Sequence, residues 1–145
     1  MKSNIFVLIS IFTITFFVAC KKDETPAKPV ITILELGEGD SHSNSRTAVI
    51  GEELHMEIDV VAEGKIDIIQ VKLHHEGDHH VKATQEEWEL DTTYTKFSGL
   101  KNTLFHEHIE IDASAEAGDY HFDFIVTDKE GNQSSAEAEV ELVTE

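Results

Sequence analysis

The chain has one cysteine and two prolines in 145 residues. A lone thiol excludes an intramolecular disulfide, so whatever folds here must stand on its apolar core. Basic residues are scarce: 11 Lys and Arg stand against 29 Asp and Glu, a formal net charge of −18. Such a charge repels nucleic acid and anionic lipid headgroups and attracts cations, which sets a nucleic-acid role aside. No window of helical period competes with the alternating pattern described below, and no apolar run reaches the roughly 20 residues of a comfortable membrane span. Catalytic signatures are lacking too: there is no nucleophile elbow, no phosphate-cradling glycine loop and no His-Glu-x-x-His pattern. The expectation is a protein that is not an enzyme.

What is present begins at the amino end. Lys2 precedes an apolar stretch from Ile5 to Val18, which ends at Phe17-Val18-Ala19-Cys20 and gives way at once to Lys21-Lys22-Asp23-Glu24. A positive residue, an apolar run of signal length and a small residue before the cut describe a cleaved secretion signal. Ala19-Cys20 resembles the lipobox of bacterial lipoproteins, which implies removal of residues 1–19 and acylation of Cys20. Several acyl chains on one residue anchor a protein stably where a single chain would not. Lys22-Asp23-Glu24 resembles the basic-then-acidic tripeptide that sends some Gram-negative lipoproteins to the cell surface. The expected location is the outer membrane, on its periplasmic or cell-surface side, with the lipid as membrane contact.

Three segments follow: residues 1–19 as signal, 20–28 as lipidated Cys20 and polar tether, and 29–145 as one compact domain, too short for two. Losing the signal removes Lys2 and no acid, so the remainder is one unit more negative than the whole chain. With Cys20 acylated, any metal site has to be built from imidazole and carboxylate.

Period-two alternation organises the domain. Val30-Ile-Thr-Ile-Leu34 opens it, and Leu54, Met56, Ile58 and Val60 then alternate with His55, Glu57 and Asp59. After the turn at Glu63-Gly64-Lys65, Ile69, Val71 and Leu73 alternate with Gln70, Lys72 and His74. A weaker strand lies near Trp88 to Tyr94, and Phe105, Ile109 and Ile111 alternate with His106, His108 and Glu110. Tyr120, Phe122, Phe124 and Val126 form the next apolar face; past Asp128-Lys-Glu-Gly-Asn132, Ala136, Ala138, Val140 and Leu142 oppose Glu137, Glu139 and Glu141. About seven strands, each with one apolar face, predict an all-β, two-sheet antiparallel sandwich.

Ala117-Gly-Asp-Tyr-His-Phe-Asp-Phe-Ile-Val-Thr-Asp-Lys-Glu-Gly-Asn132 resembles the penultimate strand and final turn of bacterial immunoglobulin-like domains, and Gly51 to Glu57 and Gly64 to Leu73 fit the earlier part of that pattern. The whole domain is similar to bacterial lipoproteins of unknown function that combine this sandwich with many histidines. The resemblance implies the fold and the location and supplies no activity.

The nine histidines carry the distinctive chemistry. They cluster as His74-His75-Glu76-Gly77-Asp78-His79-His80 and His106-Glu107-His108, with His42, His55 and His121 apart. Neutral imidazole is the commonest transition-metal ligand, and nearby carboxylates complete the shell or orient the rings. Residues i and i+2 of a strand share a face, so His106 and His108 can line one site.

Immunoglobulin-like topology pairs the third strand with the sixth, which predicts that His74 meets His121, with the loop from His75 to His80 above them. That makes His74, His75, His79, His80 and His121 the first expected site, with Asp78 and Asp123 as oxygen ligands. Pairing of the second strand with the fifth brings His55, His106 and His108 to a common outward face with Glu57 and Glu110, provided the register allows it. The function expected is a lipid-anchored protein that binds zinc or copper. The alternative is a structural or adhesive module whose partner is an envelope protein or a glycan.

Overall fold

The computed structural model describes residues 27–38, 44–76 and 88–145. The signal segment, Cys20, His42, Asp78, His79 and His80 lie outside the described residues. All eight elements among the described residues are strands: β1 (Val30–Glu38), β2 (Thr47–Val49), β3 (Glu53–Val61), β4 (Ile66–His75), β5 (Leu90–Tyr94), β6 (Asn102–Glu110), β7 (Gly118–Asp128) and β8 (Gln133–Val143).

They form a three-stranded sheet, β1-β3-β6, and a five-stranded sheet, β2-β8-β7-β4-β5. This two-sheet arrangement, with β1 at the edge of one sheet and β2 at the edge of the other, is that of an immunoglobulin-like sandwich. The alternating residues close it. Leu54, Met56, Ile58 and Val60 of β3 are fully buried against Ile69, Val71 and Leu73 of β4 and against Tyr120, Phe122, Phe124 and Val126 of β7. Phe105 and Phe124 meet edge to face across the interior, ring centres 4.9 Å apart, and Tyr94 caps Phe105 at 5.0 Å. Each such side chain contributes about 1.5–3 kcal/mol relative to exposure.

Two features depart from the expected plan. There are eight strands rather than about seven, because Thr47–Val49 forms β2, and β2 runs parallel to the end of β8 while every other pair is antiparallel. Three residues are too few to show an alternation. The chain leaves β1 and crosses to the other sheet through Arg46, whose φ of 57° lies in the left-handed region; its N–H donates to Leu36 and its carbonyl accepts from Glu141.

One further bond pins the entry to β7. The Tyr120 hydroxyl donates to the Glu116 carbonyl at 3.0 Å, four residues back, as in the tyrosine corner of immunoglobulin-like domains. Because β3 and β4 are joined by a short turn, the start of β3, the end of β4, the end of β6 and the start of β7 all lie at one end of the sandwich. Every described histidine is at that end.

Candidate metal centre

Register assembles the site on the outer face of the three-stranded sheet. β3 and β6 pair His55 with His108 and Glu57 with His106, so three imidazoles and a carboxylate occupy one square of the sheet. One nitrogen from each of His55, His106 and His108 lies within 4.8 Å of the others. The His55 and His108 rings are 4.9 Å apart and the His55 and His106 rings 5.0 Å, the latter edge to face. Alternation places His55 on the outward face, and it is there, yet its exposure is 0%. An outward residue on the middle strand of three is covered when both flanking strands lean side chains over it.

His55 Nδ1 is 3.3 Å from His108 Nε2, and His55 Nε2 is 3.1 Å from Glu35 Oε2. On the far side of His108, Nδ1 is 3.2 Å from Glu53 Oε2, while His106 Nδ1 is 4.0 Å from Glu57 Oε2. Two nitrogens bound tetrahedrally to one zinc at about 2.0–2.1 Å stand about 3.3–3.4 Å apart. The 3.3 Å between His55 Nδ1 and His108 Nε2, a hydrogen bond in this structure, equals the separation of two nitrogens that share one ion. The donor set, nitrogen and oxygen without sulfur, suits zinc or copper(II) better than copper(I).

Glu35 was not among the expected residues, and its position follows from a backbone irregularity. The β1 register against β3 shifts between Ile33 and Glu35. Continued alternation from Ile31 and Ile33 would turn Glu35 into the core. The extra residue, Leu34, places Glu35 opposite Glu57 on the outer face and returns the fully buried Leu36 to the interior. Gly37 then stands opposite His55.

The first expected grouping is realised in part. β4 and β7 place His74 opposite His121, with ring centres 5.1 Å apart. His121 is ringed by carboxylates: Nδ1 is 3.3 Å from Glu76, and Nε2 is 3.4 Å from Asp123 and 4.0 Å from Glu137. His121, Asp123 and Glu137 form a convergent group of one imidazole and two carboxylates. His75 does not join it. Adjacent strand residues face opposite sides, and the His75 ring instead lies edge-on to Tyr120, 5.0 Å away, against Gly118. Glu110 shares the outer face of the other sheet opposite Glu53 but is outside the convergent imidazole group.

Fold and side chains together define an immunoglobulin-like β-sandwich with a histidine cluster on the outer face of its smaller sheet. The chain belongs to the DUF4625 family, a domain of unknown function, which matches residues 18–143. Comparison with curated proteins gives no match.

Proposed function

We propose that this protein is a lipid-anchored envelope protein, not an enzyme, that captures a transition metal, zinc or copper(II), through His55, His106 and His108. The observation that carries the reading is the convergence of three imidazole nitrogens within 4.8 Å, one ring fully buried and two partly exposed. A buried ring fixes one ligand, and the flanking rings leave a route for the ion. The strongly negative chain raises the local concentration of cations around the site. The lipid anchor rests on the signal and Cys20 motif, which would present the site outside the cytoplasm.

The test is a zinc and copper(II) titration of the mature protein purified without a histidine tag. One equivalent is expected to bind tighter than about micromolar, and His55→Ala, His106→Ala and His108→Ala are each expected to weaken it by more than the roughly 10–100-fold of an outer-shell change. Binding no tighter than about millimolar would overturn the reading. So would binding that survives the triple substitution and disappears when His74, His79, His80 and His121 are replaced.

A further inference from the structure

We propose that the end of the sandwich where β1 begins is a lipid-docking surface: Val30, Val61, Leu100 and Leu104, flanked by lysines, rest on the membrane that holds Cys20. The inference rests on the lipid-anchor part of the reading above and is independent of the metal. It stands the domain on the bilayer with the histidine cluster towards its far end.

Three turns and the start of β1 make up this end. Through the backbone, Ala62 donates to Lys101, Ile66 to Leu100, Gly99 to Ile66 and Lys129 to Lys65, at 2.6–2.8 Å. The turns after β3, β5 and β7 are thereby bound into one platform. Val30 pairs with Val61, and Leu104 on the next strand pairs with Asp59, so alternation sets these side chains on the outer face of the smaller sheet. Val30 is 59% exposed, Leu104 50%, Leu100 45% and Val61 38%. Among the described residues the one other large apolar side chain so exposed is Leu34. Apolar surface gathered in one place, rather than scattered singly, marks a contact surface.

Charge is sorted along the same axis. Lys28, Lys65, Lys96, Lys101 and Lys129 lie exposed at this end, and the other bases among the described residues are Arg46 and Lys72. Lys96 pairs with Glu107 and Lys129 with Asp67, whereas Lys28, Lys65 and Lys101 have no such partner among the described residues. With Asp59, Glu63 and Glu130 also here, bases and acids come close to balance. Elsewhere acids dominate, as along Glu137, Glu139 and Glu141. A near-neutral end with free lysines can approach lipid phosphates that the chain as a whole, at −18, would repel.

The tether selects a lipid layer as the occupant. Val30 is ten residues on from Cys20, a stretch that reaches no more than about 33–36 Å when fully extended. Pro29 is buried, so the chain enters β1 from a fixed point at this end. His55, six residues back from Val61 along β3, stands roughly 20 Å further from that point. A lipid on Cys20 therefore keeps this end closest to the bilayer, where aliphatic side chains sink into the headgroup boundary and lysines meet phosphate.

Coupling the Cys20 thiol of the mature chain to a maleimide lipid supplies the anchor chemically, in vesicles of phosphatidylethanolamine and phosphatidylglycerol with and without brominated acyl chains. The sole tryptophan, Trp88, lies at the far end against Tyr120 and is the internal control. Leu104→Trp is expected to lose emission to the brominated chains, while the wild type does not. Adding Val30→Asp and Leu100→Asp, at side chains exposed enough to leave folding intact, is expected to abolish that loss, and Lys65→Glu with Lys101→Glu to reduce it.

Equal loss in wild type and Leu104→Trp, or loss in neither, would overturn the proposal. So would a blue shift of the Leu104→Trp emission without loss to the brominated chains, which marks a second copy of the chain on the patch. Loss that persists after the aspartate substitutions would overturn it also. Because the anchor is supplied chemically, a Cys20 found unacylated in the cell refutes the lipid-anchor reading alone and alters none of these outcomes.

Discussion

Replacing Gly64 by Ala should destabilise the domain through a residue far from it in sequence, Asp128. Asp128 is buried at the turn between β7 and β8. Its Oδ1 accepts from the backbone N–H groups of Glu130 at 3.0 Å and Asn132 at 2.8 Å, and its Oδ2 accepts from the Asn132 side chain at 2.9 Å. Burial alone would raise its pKa, yet the hydrogen bonds from Asn132, Glu130 and Gly131 outweigh it and hold the carboxyl below the ordinary value. A Cβ on Gly64 would overlap Asp128 Oδ2 and lie 2.8 Å from its Cγ, so the carboxylate must move.

Hydrogen bonds to a charged group contribute about 1.5–3 kcal/mol each and are not additive, so loss of this cage should cost about 3 kcal/mol. At roughly 4 °C per kcal/mol for a domain of this size, the Tm of Gly64→Ala should fall by about 12 °C. Thermal unfolding followed by circular dichroism measures it. In a double-mutant cycle with Asp128→Ala, the second substitution should cost less than it does alone, by about 1–2 kcal/mol. Additive effects would refute the reasoning. The pH dependence supplies a second check. A depressed native pKa stabilises above the unfolded value of about 3.9, and that stabilisation is lost as pH falls through the native value. The gap between wild type and Asp128→Asn should therefore hold steady from neutrality to about pH 5 and close below about pH 4. Metal affinity should not change, because this turn lies at the end of β3, six residues or roughly 20 Å of strand from His55.

Two shorter predictions concern the opposite end of the domain and the anchor. Tyr120→Phe removes the bond to the Glu116 carbonyl and should cost about 1 kcal/mol in urea unfolding without altering zinc affinity; an unchanged midpoint would deny this bond a structural role. Cys20→Ser removes the sole thiol and should move the protein from the membrane fraction to the soluble one; retention in the membrane would refute the lipid anchor.

Much of the fold was legible because burial on one face leaves a period-two trace. Leu54 to Val60, Ile69 to Leu73 and Tyr120 to Val126 are buried as their alternation implies, and the turns at Gly64 and at Asp128 to Asn132 lie where the alternation stops. Once a sandwich topology is assumed, the encounters of His74 with His121 and of His55 with His106 and His108 follow from strand pairing. β2 was not legible, since three residues carry no period. The separation of His75 from His74 follows from alternation alone, since adjacent strand residues face opposite sides, and a dense run of histidines in the sequence conceals it.

The deeper omission was Glu35, and it has a physical cause. Reading a strand by parity assumes that parity is conserved along it, and a bulge breaks that assumption at a single residue. Val30-Ile-Thr-Ile-Leu34 reads as regular, but Leu34 is exposed while Glu35 and Leu36 exchange the faces that alternation would give them. The cost of the irregularity is one unpaired residue in an edge strand. What it achieves is a carboxylate 3.1 Å from the one fully buried histidine among the described residues. The shift that buries Leu36 also carries a cost, because Glu35 opposite Glu57 brings two like charges together on a partly buried face. That unfavourable pairing is relieved by a hydrogen-bond donor between the strands, and His55, whose Nε2 lies 3.1 Å from Glu35, supplies one.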